Sequence, residues 1–305
     1  NYNPNWGYQN GQKRNARVVH DFQPTAILTW DFIPQRGQRL STSFAYKYSM
    51  YSSSALSWGG NAYDPRPDYY KNLPSSIFNI YNPDKNCHDF LDANPYLLDQ
   101  FYRLTDFWQA SEANRQLNWD RMYYVNRQNA LQHNGEALYY VERRHNDQQV
   151  FVLSSTWNHS VNLRHKYAAG AEFNHTKGMH YKTMDDLLGG NPIVDIDKYA
   201  AKDYGRYSLE AQNDLNNPNR VISEGDRFGY DYDINVNRAK AWGNYQYSGK
   251  HWTFVGQGHI DATGISRYGN MRCGRYADNS YAHDGSDDGH AARFLGGGMK
   301  AAVDY

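Results

Sequence analysis

Residues 26–50 contain two runs in which most alternate side chains are large and apolar. Leu28, Trp30 and Phe32 occupy alternate positions of the first run, and a short polar segment, 34–38, separates it from the second. Between 40 and 50, mainly apolar and aromatic residues alternate with Ser, Ala and Lys. Because successive side chains of a β-strand point to opposite faces, this period predicts a hairpin with one apolar and one small polar face. The second run has the length that a tilted strand needs to cross a bilayer, roughly 9–11 residues.

The alternation recurs along the chain, and the connections between the predicted strands alternate in length. About seven strands are predicted, at 16–32, 39–51, 148–161, 167–180, 228–247, 252–265 and 293–305. Short turns alternate with long connections at about 52–147, 181–226 and 266–292. Tight turns at one end and extended loops at the other are typical of outer-membrane β-barrels. Residues 1–305 are therefore predicted to be an all-β, antiparallel portion of a transmembrane β-barrel, since a complete bacterial barrel has an even strand number.

The long loops are predicted to be extracellular and to contain short helices. Apolar residues recur at helical spacing after Pro95, which predicts a helix over 95–113. Further helices are predicted over 118–129 and 208–215. The charged run 142–147 is expected to pair internally above the membrane, with contact to an anionic ligand as the alternative.

The composition excludes some classes of function. Lys+Arg and Asp+Glu both number 32, and this balance argues against a nucleic-acid partner. A mean hydropathy of −0.91 excludes a helical membrane protein, whereas a barrel strand needs apolar residues only at alternate positions. The 28 tyrosines and 8 tryptophans suit membrane interfaces or ligand-lined loops, where one end of a ring is wet.

No motif indicates catalysis, a cofactor or a metal. The chain has no nucleophile elbow and no phosphate-binding glycine loop, so no catalytic residue and no cofactor are predicted. Asp284, Asp287 and Asp288 resemble a loose cation loop, but a solvated loop is the favoured interpretation. Cys87 and Cys273 match no metal spacing, and a disulfide between them and two free thiols both remain open.

Two sets of residues are predicted to meet a solute. The polar face of the strands is expected to line the lumen, through Lys47, Glu172, Asn174, Asp231, Asp233 and Asn235. Aromatic rings stack on flat ligands and arginines bind carboxylates, so such residues of the long loops are candidates for substrate binding. They are Trp58, Tyr63, Arg66, Tyr69, Tyr70, Trp108, Trp119, Arg121, Tyr123, Tyr124 and Arg143. The alternative is that these rings pack a small core within the loops.

Several stretches of the chain resemble TonB-dependent outer-membrane receptors, in the group of SusC-like nutrient importers. They are 13–32, 64–76, 118–126, 137–149, 174–190 and 214–220. The resemblance implies a barrel of about 22 strands in the outer membrane of a Gram-negative cell, closed by a plug and driven by the TonB machinery. It also implies contact with the lipid bilayer, a surface lipoprotein partner, and a glycan, peptide or metal chelate as ligand. This chain contains neither plug nor TonB box, so energy coupling is not assigned to its residues.

Two other functions stay open at the level of the sequence. A complete small outer-membrane barrel enzyme, a protease or lipase, would need converging side chains, for which His145, His159, His175 and His259 are available. A soluble β-rich binding module would instead require the faces that carry Tyr46 and Tyr232 to pack against another sheet.

Overall fold

Long runs of alternating side chains produce one large antiparallel sheet. The computed structural model describes residues 3–59, 62–77, 94–281 and 291–305. The strands are β1 (Trp6–Gln9), β2 (Gln12–Asn15), β3 (Val19–Phe22), β4 (Thr25–Phe32), β5 (Gln38–Trp58), β6 (Leu117–Asn118), β7 (Tyr139–Ser160), β8 (His165–Asp186), β9 (Ile193–Val194), β10 (Val221–Ile222), β11 (Arg227–Ser248), β12 (Thr253–Gly269) and β13 (Ala291–Asp304). The α-helices with both ends in the described residues are α1 (Pro95–Ala110), α2 (Trp119–His133) and α3 (Lys198–Tyr204), and single 3-10 turns lie at Tyr70–Asn72, Ala113–Arg115 and Gly274–Tyr276.

The large sheet contains eight strands in the order β13-β12-β11-β8-β7-β5-β3, and β4 also pairs with β5. All of its pairings are antiparallel, so the predicted all-β, antiparallel fold is confirmed. Within the described residues the sheet is open, with β13 at one edge and β3 and β4 at the other. Two small sheets, β2-β1-β6 and β10-β9, lie in the remaining segments.

The first predicted strand, 16–32, is divided into β3 and β4. Both pieces pair with β5, and Pro24 lies in the gap between them. Proline has no backbone N–H to donate to a ladder. Its carbonyl instead accepts a hydrogen bond of 3.1 Å from the Tyr48 backbone N–H, which keeps the interrupted ribbon against β5.

The short and long connections lie at opposite ends of the large sheet, as predicted. The pairs Phe32–Leu40, Ser160–Lys166 and Ser248–Thr253 close the short turns at one end. The predicted bounds of the long connections are wrong, because those connections are 59–138, 187–226 and 270–290. The ladder between β5 and β7 continues to the pair Trp58–Tyr139. Backbone pairing does not require apolar side chains, so the strands extend beyond the alternating pattern.

The helices of the long connections are partly as predicted. Helix α1 begins at Pro95 and α2 at Trp119, where the Asn118 side chain accepts a hydrogen bond from the Arg121 backbone N–H. The predicted helix over 208–215 is wrong. The helix of that connection is α3, which begins after Asp197, whose carboxylate caps the Tyr199 and Ala200 N–H groups.

Most of the buried apolar side chains lie at the end of the sheet that carries the long connections. One cluster joins Trp119 and Met122 of α2 to Tyr139, Val141 and Leu188. A second cluster contains Tyr140, Met184, Ile193, Ile222 and Phe228. The connections therefore fold onto the strand ends as a packed unit.

Direct pairing shows which side chains share a face of the large sheet. One row, on what we call the apolar face, consists of Leu28, Phe44, Leu153, Phe173, Ala239, Ala262 and Leu295. The neighbouring row, on what we call the polar face, consists of Ser43, Ser154, Glu172, Lys240, Asp261 and Gly296. In the described part of the chain no second sheet covers either face, and Leu295 is 91% exposed.

The predicted lumen-facing residues divide between the two faces. Lys47, Glu172 and Asn174 lie on the polar face, as expected of one set. Asn235 pairs with Lys177, which pairs with Gln149 and so with Tyr48, and this path places it on the side of the apolar face. Asp231 and Asp233 lie on that same side, since they are four and two positions from Asn235. The prediction of one face for all six is wrong, because toward the long connections the side of the apolar face becomes polar.

Candidate binding site

A cavity of about 600 Å³ lies between the polar face of the sheet and the long connections. Its floor is formed by side chains of three adjacent strands, namely Tyr140, Glu142 and Arg144 of β7, Lys182 of β8 and Tyr230 of β11. Its roof comes from the segments 134–138 and 193–199. The volume falls in the range typical of sites for small molecules.

Glu142 is the most deeply placed charge of the cavity. Its side chain is 4% exposed, and its two carboxylate oxygens accept from different cations. Arg144 Nη2 lies 2.8 Å from Oε1, and Lys182 Nζ lies 3.0 Å from Oε2. A buried carboxylate requires such compensation because desolvation of an unpaired charge costs several kcal/mol. The paired charges of Glu142 and Arg144 confirm the expected internal pairing within the run 142–147.

A glycine in β11 makes room for the Lys182 side chain. Gly229 has φ of +77°, and a Cβ atom there would lie 2.7 Å from Lys182 Cε. The residue lies in a register shift between Arg227 and Asp231, where β11 bulges away from β8. Lys182 Nζ thereby reaches a point 4.2 Å from the ring centroid of Phe228 and contacts Glu142.

The roof contributes a second lysine. Lys198 Nζ donates to the Trp58 carbonyl at 3.1 Å and lies 5.5 Å from the ring centroids of both Trp58 and Tyr199. Among the described residues no carboxylate lies within ion-pair distance of this lysine. The roof also holds the ion pair of Arg206 with Glu136.

Two tyrosines of the floor, Tyr140 and Tyr230, lie nearer to the long connections than the row that contains Leu153 and Phe173. Burial raises the pKa of the Tyr140 phenol, which also hydrogen bonds to Ser57. Burial likewise raises the pKa of Tyr230. Both phenols therefore stay neutral at physiological pH and present hydroxyl groups beside flat rings.

Some predicted ligand residues come together beside the cavity. The Arg66 guanidinium lies 5.1 Å from the ring centroid of Trp58 and 5.7 Å from that of Tyr69, and it pairs with Asp64. With Lys198 on the same indole, Trp58 joins two long connections through cation–π contacts. Trp58 itself is the last residue of β5 and not part of a loop.

Other predicted ligand residues belong to the packing of the connections. Trp119 is 0% exposed, donates from Nε1 to the Arg14 carbonyl, and lies under the Arg14 guanidinium at 4.3 Å. Tyr123 donates to Asp186, and Trp108 donates from Nε1 to the Asn72 carbonyl. The Trp119 ring therefore fills a core, which is the alternative that the sequence left open for these rings.

The rest of the predicted set is dispersed. Tyr63, Tyr70 and Tyr124 are exposed, and the Arg121 side chain is exposed on the first turn of α2. Arg143 lies within β7 on the side of the apolar face, where Asp185 binds it at 2.9 Å. It was predicted as a loop residue, and it is separated from the cavity by the sheet itself.

Sequence reasoning missed Tyr140, Lys182, Lys198 and Tyr230 as members of one site. The signal available was the alternation of Tyr140, Glu142 and Arg144, which places all three on one face of a strand. The four histidines considered for an enzyme do not converge: His145 and His175 lie on the side of the apolar face, and His259 lies on the polar face. His159 lies near the short turns.

The chain matches no protein-family model and no curated protein. Within the described residues, no helix combines the length and the apolar character needed to cross a membrane. The same residues hold no cluster of three or more His, Cys, Asp or Glu side chains that could bind a metal ion. Cys87 and the loop 284–288 lie outside the described residues.

Proposed function

We propose that the chain is part of the wall of an outer-membrane β-barrel transporter of the TonB-dependent type, and that the cavity contacts the solute. The observation that carries the proposal is an apolar band on one uncovered face of the sheet. On β8 the band extends from Tyr167 to His175, about the 9–11 residues that a tilted strand needs to cross a bilayer.

Several apolar side chains of the band are largely exposed, which is energetically unfavourable in water. Leu28 and Ile260 are 70% and 69% exposed, and Met299 is 92% exposed. Apolar surface in water costs roughly 25 cal/mol per Å², and monomeric soluble proteins rarely carry so broad a patch. Hydrocarbon removes this cost.

Aromatic side chains border the band on both sides. Trp157, Tyr167 and Tyr245 lie toward the short turns, and the ring centroids of the two tyrosines are 5.0 Å apart. Tyr46 and Phe151 lie at the opposite border. Amphipathic rings at both interfaces are typical of barrels in outer membranes.

The polar face carries charges at the level of the band. Glu172, Lys240 and Asp261 lie side by side in one row of this face, since Lys240 pairs with both of the others. This row is next to the row of Leu153 and Phe173 on the apolar face. Charged side chains at this depth require a wet interior, as the lumen of a transport barrel supplies. Within the described residues, β13 at one edge and β3 and β4 at the other have no partner strand on their outer sides, and the proposal requires further strands there because lipid cannot satisfy backbone hydrogen bonds. A larger barrel, as the family resemblance implies, meets this requirement.

The test compares arginine on the two faces at adjacent positions, in protein exported to the outer membrane. Leu153→Arg places a charge in the band and should cost about 2–4 kcal/mol, whereas Ser154→Arg, on the polar face, should cost little. We expect heat-modifiable migration on gels for the wild type and for Ser154→Arg. For Leu153→Arg we expect a large decrease in the heat-modifiable, folded fraction. Equal behaviour of the two variants, or a wild type that is soluble without detergent, would contradict the proposal.

A further inference from the structure

We propose that the cavity selects solutes that carry one carboxylate on a polar body, and that Lys182 and Lys198 bind this group. The inference rests on the proposed function for the route by which a solute arrives. The binding itself is argued from the charges, the contacts and the shape of the cavity.

The charged residues that line the cavity do not cancel. Four are cationic, Arg144, Lys182, Lys198 and Arg206, and three are acidic, so the lining carries an excess of one positive charge. Each acid already has its partners: Glu142 binds Arg144 and Lys182, Glu136 binds Arg206, and Asp197 caps α3. An added cation would find no acid without a partner, whereas an added anion neutralises the lining.

The excess charge is located at the two lysines. Lys182 and Arg144 share a single carboxylate, so their combined charge exceeds that of Glu142 by one. The contacts of Lys198 are a carbonyl oxygen and two rings, and among the described residues no carboxylate lies within ion-pair distance of it. The neighbouring Asp197 caps α3 and lies 3.9 Å from Arg275, which is outside the lining of the cavity. Phe228 below Lys182 and Tyr199 beside Lys198 lower the local polarity, and this strengthens attraction to an incoming carboxylate.

The remaining surface of the cavity suits a body with a flat face and hydroxyl or amide groups. The rings of Tyr140, Phe228 and Tyr230 line it, and the phenols add hydroxyl groups. A volume of about 600 Å³ accommodates a molecule of the size of a disaccharide or a dipeptide. A sugar acid and a peptide with a free carboxyl terminus share this chemistry.

The test uses the protein purified from outer membranes in detergent, with binding measured by calorimetry. The sugar probes are cellobiouronate, a disaccharide with one carboxylate, and its neutral methyl ester. The peptide probes are N-acetyl-glycyl-phenylalanine, which has one free carboxylate, and the corresponding neutral amide. We expect an acid to bind about tenfold more tightly than its neutral partner, because a charge-assisted hydrogen bond is lost in the latter. Preference for cellobiouronate or for the peptide acid identifies the source of the carboxylate.

Two substitutions test where the carboxylate binds, and a third is their control. Lys198→Gln should weaken binding of the acid about tenfold and leave binding of the neutral probe unchanged. Glu142→Gln removes one negative charge from the lining, so it should strengthen binding of the acid. If Glu142 served only to hold the structure of the cavity, the same substitution would weaken that binding. Lys177→Gln, on the opposite side of the sheet and paired with Asp233, is the matched control and should change nothing.

The outcomes separate this inference from the proposed function. Equal binding of acid and neutral probes, or no binding by protein that migrates as a heat-modifiable barrel, would overturn the carboxylate site alone. A protein that is soluble without detergent and still prefers the acid would overturn the membrane proposal and support the site.

Discussion

Glu142 of β7 and Lys182 of β8 form an ion pair of 3.0 Å, and both side chains are largely withdrawn from water. The lysine reaches the carboxylate because a glycine stands at the bulge of the next strand, where a side chain would collide with Lys182 Cε. The pair therefore depends on the backbone of β11 as well as on its own two residues.

Substitution Gly229→Ala should displace Lys182 and destabilise the unit formed by the long connections. Its φ of +77° and the approach of 2.7 Å both oppose a Cβ atom, and we expect a loss of about 1–3 kcal/mol. Thermal unfolding in detergent measures this loss. Gly243→Ala is the control, since its Cβ would meet no atom within 4 Å. Equal melting temperatures for the two variants would show that Lys182 is not held by the bulge.

Asn126→Ala should open the packed unit at the junction of α2 with the sheet. The buried Asn126 amide donates to the Tyr139 and Leu187 carbonyls at 2.7 and 2.9 Å and accepts from the Leu138 and Tyr139 N–H groups. Each unsatisfied buried group costs about 1–3 kcal/mol, so we expect a loss of about 3 kcal/mol or more. Rapid proteolysis of the segment 119–138 would report it. Gln132→Ala, at an exposed position of the same helix, should retain wild-type resistance.

Trp119→Ala should lower stability by about 3–5 kcal/mol, because a wholly buried ring is replaced by a cavity. Tyr124→Ala, on the exposed side of α2, should change stability by less than about 0.5 kcal/mol. Chemical denaturation of both variants measures the difference. If Trp119→Ala weakened solute binding and left stability intact, the ring would be a ligand contact after all.

The stability of the sheet beyond the apolar band should fall as the pH drops below about 6.5, the ordinary pKa of histidine. The His145 ring stacks on Tyr181 at 4.3 Å outside that band, and burial lowers its pKa. The folded state therefore favours neutral His145, and its stabilising contribution, present above the unfolded pKa, is lost as the pH falls through the folded pKa.

His145→Gln should reduce this dependence on acid, which melting curves between pH 5 and 8 measure. His251→Gln, at an exposed turn position, should leave the wild-type dependence in place. An unchanged profile in His145→Gln would assign the acid sensitivity to other groups.

Much of the secondary structure is local information, and sequence reasoning recovered it. Alternation of side chains located the strands, proline marked the start of α1, and the spacing of turns predicted short and long connections at opposite ends. Strand ends were missed because backbone pairing between β5 and β7 continues where the alternation fades. The helix at Lys198 was missed because its cap at Asp197 was not recognised.

The sequence by itself determined that the chain forms a two-faced antiparallel sheet, since a period of two is a property of each strand alone. Only the tertiary structure decided which residues share a face, because that depends on the register of each strand against its neighbours. The register separated Asp231 from Glu172, although both alternate with apolar residues. Strand pairing placed Glu142 near Lys182, and the folding of a long connection over the sheet added Lys198 to the same cavity. Residues far apart in the chain become neighbours only when strands pair and connections fold over them.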